Sequence, residues 1–313
     1  MDTGFIAVTD PGWYERLARE PGPRDANFWR PSVRRVGLAT GTPFLFKLKA
    51  PHHAIAGFGY FASFTILPDW LAWDTFRDAN GVDSLEALRG RLSRIQEGAR
   101  IEADPAGRIG CCLIAEARFF PRDEWVVPPR DWSPRTQTGA AYDLSQGDGQ
   151  RVWQECLERV SAYRMQPPAT WPAAEPGGGQ ARFGAPTTFL PRLGQGIFRV
   201  QVLDAYGRAC AITHEHSLPV LEAAHIRPYS QGGEHRIPNG IALRSDLHRL
   251  LDHGYLTVDE DDKLVVGQRL KRDFDNGRSY YGLQGQRLEL PATPALRPSQ
   301  EVLKWHRENV FLG

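Results

Sequence analysis

Leu221-Glu222-Ala223-Ala224-His225-Ile226-Arg227-Pro228 is followed by Gly232-Gly233, by Asn239, and by Ala242-Leu243-Arg244-Ser245-Asp246-Leu247-His248. Val220 to His225 predicts a strand that ends in a histidine, and Arg244 to His253 predicts a helix. Tyr255 to Val258 reads as a strand after it, and Gly232-Gly233 gives the intervening loop its turn. His248 and Asp252 lie four residues apart and so share one face of the predicted helix.

These residue types in this order have a chemical meaning. Imidazole titrates near neutral pH, which suits His225 to take a proton from water. Asn239 is placed to hydrogen-bond backbone across the loop and keep His225 aimed. His248 and Asp252 together suit a divalent cation such as Mg²⁺ or Mn²⁺. A base for water, a cation for negative charge and help for a leaving 3′-oxygen are what metal-assisted hydrolysis of a phosphodiester requires.

The stretch resembles the HNH (ββα-metal) endonucleases, in a branch without structural zinc whose pattern is Ala-Ala-His-Ile-x-Pro, Asn-Gly, Leu-x-x-x-x-His and Asp-x-Gly. The resemblance spans about residues 193–313, from Gly194-Gln195-Gly196-x-Phe198-Arg199 to Leu303-Lys304-Trp305-His306-Arg307-Glu308. It implies that His225 is the general base, Asn239 the loop-holding residue and His248 a metal ligand. Two departures stand out. Many HNH enzymes place a second ligand directly before the base, where this chain has Ala224; Glu222, on the same strand face, or Asp252 is then the compensating ligand. Many also carry two CxxC knuckles, whose counterparts on the helix here are Arg244 and Leu247. Only Cys210 remains upstream, so no structural zinc is expected and a packed core must replace it. His214, His216, His235 and His253 read as surface residues or phosphate contacts.

Outside this stretch the chain is a mixed α+β sequence. Phe5-Ile6-Ala7-Val8 is a short strand, and Thr9-Asp10-Pro11-Gly12 predicts the cap of a helix near Trp13. Gly41 to Lys49 and Ala54 to Phe64 predict a hairpin around Pro51-His52-His53. Gly57 and Gly59 within its second arm point to a bulge or a close backbone approach. Ser84 to Gly98 and Gly147 to Met165 have helical spacing, as does Phe198 to Tyr206, and Ile109 to Phe120 is strand-like. Residues 166–191 are rich in proline and carry Gly177-Gly178-Gly179, the composition of a linker. The expected domains are therefore 1–165 and 192–313.

The hairpin resembles the core of PUA-superfamily domains (the EVE, YTH, ASCH and SRA relatives): a glycine-led strand, a polar turn, then an apolar-Gly-x-Gly strand. This likeness covers about residues 4–135 and implies a β-barrel with flanking helices that reads a modified base in an aromatic pocket. Fused to an HNH domain, it implies a modification-dependent restriction endonuclease acting on double-stranded DNA with methylated or hydroxymethylated cytosine. The base would be flipped into the pocket. Trp29, Trp73 and Tyr60 are the expected pocket aromatics, with Asn27 or Asp74 reading a base edge. Arg30, Lys47, Arg227 and Arg244 are candidates for phosphate contacts. A non-catalytic binder with a degenerate HNH fold and an RNA-directed nuclease are the competing expectations.

Composition adds bounds. The 313 residues carry 38 Lys and Arg against 37 Asp and Glu, a net charge of +1, which disfavours a long non-specific nucleic-acid footprint. The four cysteines form no CxxC pair, as expected of reduced thiols in a cytoplasmic protein. No run approaches the length of a membrane span. Since a cutter of this size acts on one strand per site, double-strand cleavage predicts a homodimer.

Overall fold

Thr3–Thr9 (β1) and Pro43–Leu48 (β3) are apolar almost throughout, and the reason is that the sheet they build is covered on both faces. The computed structural model describes residues 3–20, 22–165 and 194–313. The expected linker, 166–191, lies outside these. The chain divides into two units, Met1–Arg192 and Leu193–Gly313, each with its own core.

In the first unit, α1 (Pro11–Leu17) follows β1, and Asp10 caps it by accepting from the Trp13 amide at 3.1 Å. Next come β2 (Arg24–Arg30), β3, β4 (Ile55–Pro68), α2 (Asp69–Phe76), α3 (Leu85–Ala99), β5 (Arg108–Phe119), β6 (Gly139–Asp143) and α4 (Gly147–Met165). The six strands form one sheet in the order β2-β5-β4-β3-β1-β6. Only β1 and β3 run parallel; the other pairs are antiparallel. Alternation splits β3 between two cores. Phe44 and Phe46 join Trp13, Phe61 and Ile114, whereas Leu45 joins Ile6, Phe58, Val152 and Cys156.

The expected barrel is corrected here. The two end strands, β2 and β6, do not pair, so the sheet stays open rather than closing. The glycines of β4 do mark a close approach. A Cβ on Gly57, whose φ is +154°, would lie 2.1 Å from the Arg118 carbonyl oxygen of β5. The register slips beside it, between Phe58 and Tyr60.

The second unit opens with α5 (Gln195–Ala205). A two-stranded antiparallel sheet follows, β7 (Leu221–His225) with β8 (Gly240–Arg244), and α6 (Ser245–Asp252) continues directly from β8. A second small sheet, β9 (Leu256–Val258) with β10 (Leu264–Val266), leads into α7 (Arg269–Phe274), α8 (Arg278–Tyr281) and α9 (Gln300–Asn309). One core joins them: Phe198 and Val202 of α5, Leu221 and Ala224 of β7, Ile241 and Leu243 of β8, Leu247 and Leu251 of α6, and Leu303 of α9. Cys210 is buried within it as a free thiol. Among the described residues no helix is long and apolar enough to cross a membrane.

Candidate active site

Strand, loop and helix meet at the end of β7. His225 is its last residue and pairs in register with Gly240, the first of β8. The loop between them is closed by one side chain, that of Asn239. Its Oδ1 accepts from the Arg227 amide at 2.9 Å, and its Nδ2 donates to the carbonyls of Arg227 and Glu234, each at 2.9 Å. Both amide hydrogens and one acceptor position are thus used, with the residue 5% exposed. The approach requires a glycine at 233, because a Cβ there would lie 1.9 Å from the Arg227 carbonyl oxygen. Gly232, at φ +83°, supplies the turn.

The His225 imidazole lies on the Phe198 ring, with centroids 4.0 Å apart and planes 14° apart. Its Nε2 is 3.0 Å from Nδ1 of His235. Tyr229 stacks on His235, at 4.9 Å and 5°. Burial first, then the neighbouring His235 and His248, push the His225 pKa down to about 4. The imidazole is therefore neutral at neutral pH.

On α6 the apolar Leu247 and Leu251 face the core, which turns His248 and Asp252 together toward β7. Glu222 Oε2 lies 2.6 Å from His248 Nδ1, and Asp252 Oδ2 lies 3.2 Å from Nε2. Burial opposes a charge on this imidazole. The two carboxylates outweigh it and hold the His248 pKa above the ordinary value. Among the described residues no group of three or more His, Cys, Asp or Glu side chains is assembled as a metal cage. The donor set nevertheless suits a divalent ion. Each ring nitrogen of His248 faces its own carboxylate, Nδ1 facing Glu222 and Nε2 facing Asp252. A cation in the place of a ring proton would therefore be held by one imidazole nitrogen and one of the two carboxylates. Ala224 is fully buried and contributes no donor.

The remaining candidates are placed differently. Arg227 lies over the Trp305 ring at 5.0 Å and donates to the Gln231 carbonyl. Arg244 is paired with Asp246 at 2.5 Å. Arg30 bonds the carbonyls of Ser32 and Arg34 and lies over Phe64. Lys47 is corrected: it is 4% exposed, its ammonium lies 5.0 Å from the Trp132 ring centre, and burial lowers its pKa. Strand alternation turns it inward, so it cannot serve a phosphate.

The five expected pocket residues do not come together. Tyr60 packs edge-on against Phe58 and Trp153, in one core of the sheet, while Trp29 packs against the other. Asn27 is fully buried and bonds Asn80 Oδ1 and Cys111 Sγ, so it is withdrawn as a reader of base edges. Asp74 pairs with Arg77 on the surface, and Trp73 is half-buried on α2. Trp29 alone lines a cleft, of about 250 Å³, with Asp10, Arg91, Arg94 and Ile95. Its indole N–H is committed to the Asn80 carbonyl at 2.8 Å.

Three features escaped the sequence reading. Phe198 stood in the pattern with no role attached. His235 reads from sequence as a surface residue or a phosphate contact, although its position in the Gly-Gly loop, ten residues after His225, was the available signal. Arg91 and Arg94 sat on an ordinary amphipathic helix and carried none.

Residues 210–259 match the family model of the HNH endonucleases. The matched residues lie within the second unit and span the strand, loop and helix just described. No curated protein matches the chain significantly. Among solved structures, the chain is similar to a modification-dependent restriction endonuclease, TagI, at 21% identity and a TM-score of 0.29. That match covers 36% of this chain, which spans only 37% of TagI. An ASCH protein from Zymomonas mobilis is similar at 10% identity and a TM-score of 0.30, over 49% of this chain and 94% of that one.

Proposed function

We propose that this chain is a metal-dependent HNH endodeoxyribonuclease whose first unit directs it to DNA carrying modified cytosine. The observation that carries the nuclease half is the convergence of His225, the Asn239-closed loop and the Glu222–His248–Asp252 group within the segment matched to HNH enzymes. His225, neutral and held against Phe198, takes a proton from water as the oxygen bonds to phosphorus and the bond to the leaving oxygen breaks. Asn239 holds the loop so that this imidazole keeps one orientation. His248 with Asp252 at its Nε2, or with Glu222 at its Nδ1, would hold a divalent cation, which would stabilise the charge developing on the phosphate and on the leaving oxygen. Arg227, two residues after His225, and Arg244, four before His248, are the phosphate-positioning candidates.

The reader half is supported by the PUA-like hairpin pattern and by the aromatic-walled cleft at Trp29, where two arginines accompany one ring. Base flipping into an aromatic cleft and homodimeric double-strand cleavage belong to the same proposal. The test is cleavage of matched plasmids, unmodified, 5-methylcytosine-containing and 5-hydroxymethylcytosine-containing, with Mg²⁺ or Mn²⁺ and with an EDTA control. Cutting confined to modified plasmid is the expected result. Equal cutting of all three removes the cytosine reader and keeps the nuclease. Binding without cutting under either metal replaces the nuclease by a non-catalytic binder, and preference for structured RNA replaces the DNA substrate.

A further inference from the structure

Resting on the nuclease reading above, we infer that His235 is the positioning residue that fixes the tautomer of His225 and so decides which ring nitrogen meets the attacking water. The two imidazoles are joined Nε2 to Nδ1 at 3.0 Å, and a contact of that length between neutral rings shares one hydrogen. Only two arrangements exist. If His235 donates, His225 must carry its own hydrogen on Nδ1, and no lone pair is left to accept a proton. If His225 donates from Nε2, its Nδ1 keeps a free lone pair, and His235 carries its hydrogen on Nε2.

Only the second arrangement makes His225 a base. Among the described residues, Nδ1 of His225 has no hydrogen-bond partner, as an atom reserved for water requires.

The surroundings hold His235 to this task. Its ring is stacked on Tyr229 at 4.9 Å and tilted against Phe198 at 5.7 Å, and Asn239 grips the carbonyl of the preceding residue, Glu234. His225 is in turn flat on Phe198. Both rings therefore have little freedom to turn away from each other. A histidine that orients a general base through the base's second nitrogen acts without touching the substrate.

The experiment uses the full chain with ¹⁵N-labelled histidine. There are nine histidines, and the His225 signals are identified by their loss in His225→Ala. Two-bond ¹H–¹⁵N correlations then report which nitrogen carries the hydrogen. The wild type is expected to show His225 protonated at Nε2 and bare at Nδ1. His235→Phe keeps a flat ring against Tyr229 but removes the acceptor. It is expected to give a mixture of tautomers and to lower kcat roughly 10²-fold with KM for the duplex unchanged. His235→Asn places an amide oxygen at the position of Nδ1 and is expected to restore the tautomer and most of kcat. A wild-type His225 bare at Nε2, or a tautomer unmoved in His235→Phe, overturns the inference. So does a failure of His235→Asn to restore what His235→Phe loses. Should His235→Phe not fold, the wild-type tautomer and the Asn variant decide. If the wild type cuts no duplex, the nuclease reading fails, whereas the tautomer spectrum still decides whether His235 sets His225.

Discussion

His225 and Phe198 lie face to face at 4.0 Å, so the candidate base is held on the first helix of its unit rather than on its loop. Phe198 also packs where a side chain at Gly240 would go, which lets β8 begin directly against the helix. Phe198→Ala is therefore expected to loosen the imidazole and open a cavity together. Cleavage should fall more steeply than stability predicts, the latter by about 3–5 kcal/mol. Urea unfolding followed beside plasmid nicking separates the two. A Phe198→Leu variant that keeps full nicking would argue against a role in aiming the base.

His225→Ala is expected to abolish nicking, by roughly 10²–10⁴-fold or more, while leaving duplex binding intact. Gel-shift affinity measured in EDTA is the check. Equal loss of binding and cutting would make His225 a structural residue instead.

Asn239→Ala strands the amide and carbonyl of Arg227 and the carbonyl of Glu234. These bonds are only part-buried, so water can replace some of them. The loss should fall below the about 1–3 kcal/mol of a fully buried unpaired group, and the second unit should still melt lower. Asn239→Asp keeps the acceptor and loses both donors, and should fall between wild type and alanine. Calorimetry on the three proteins ranks them.

The raised His248 pKa makes protons and metal competitors for the same ring. As pH falls, the imidazole gains its second proton, and more Mg²⁺ or Mn²⁺ should be needed for half-maximal cleavage. His225, with its pKa pushed down to about 4, stays neutral over the same range and should not limit the rate once metal is saturating. Metal titrations of nicking at several pH values would show this. A metal requirement independent of pH would mean that the ion does not bind at His248.

His306 of α9 links two elements of the second unit. Its Nδ1 accepts from the Thr257 hydroxyl at 2.9 Å, and its Nε2–H donates to the Leu251 carbonyl at 3.1 Å. Burial lowers its pKa from 6.5, so the folded state favours the neutral ring. The unfolded chain then binds more protons below the ordinary value. This contribution to stability is full above 6.5 and is lost as pH falls through the folded value. His306→Gln can make both bonds without titrating. Its melting temperature should consequently drop less than that of the wild type between about pH 7 and pH 5. Identical drops would assign the acid sensitivity to other groups.

Much of the second unit was legible because its chemistry and its periodicity coincide. The same residues that carry the HNH pattern mark a strand end, a glycine turn and one face of an amphipathic helix, so each signal reinforces the next. In the first unit β1, β3, β4 and β5 were readable from their apolar runs, but β2 was not. Arg-Asp-Ala-Asn-Phe-Trp-Arg at 24–30 is a strand because it pairs with β5 and buries Asn27 beside Asn80, relations that connect residues far apart in sequence. The aromatic pocket failed for a related reason. Trp29 and Tyr60 both sit in strands, yet strand register alone decides which face each reaches, and register is set by partners. Lys47 shows the limit most sharply, since a lysine in an apolar strand reads as an edge charge until the second face of the sheet proves to be covered.

The Asn239 closure has a thermodynamic consequence. A stretch of backbone that is already fastened to itself has lost its conformational freedom during folding, so the entropy of arranging it is not charged to the encounter with a duplex. Amides such as those of Ile226 and Arg227 should accordingly exchange their hydrogens slowly before any DNA is added, and change little when it is.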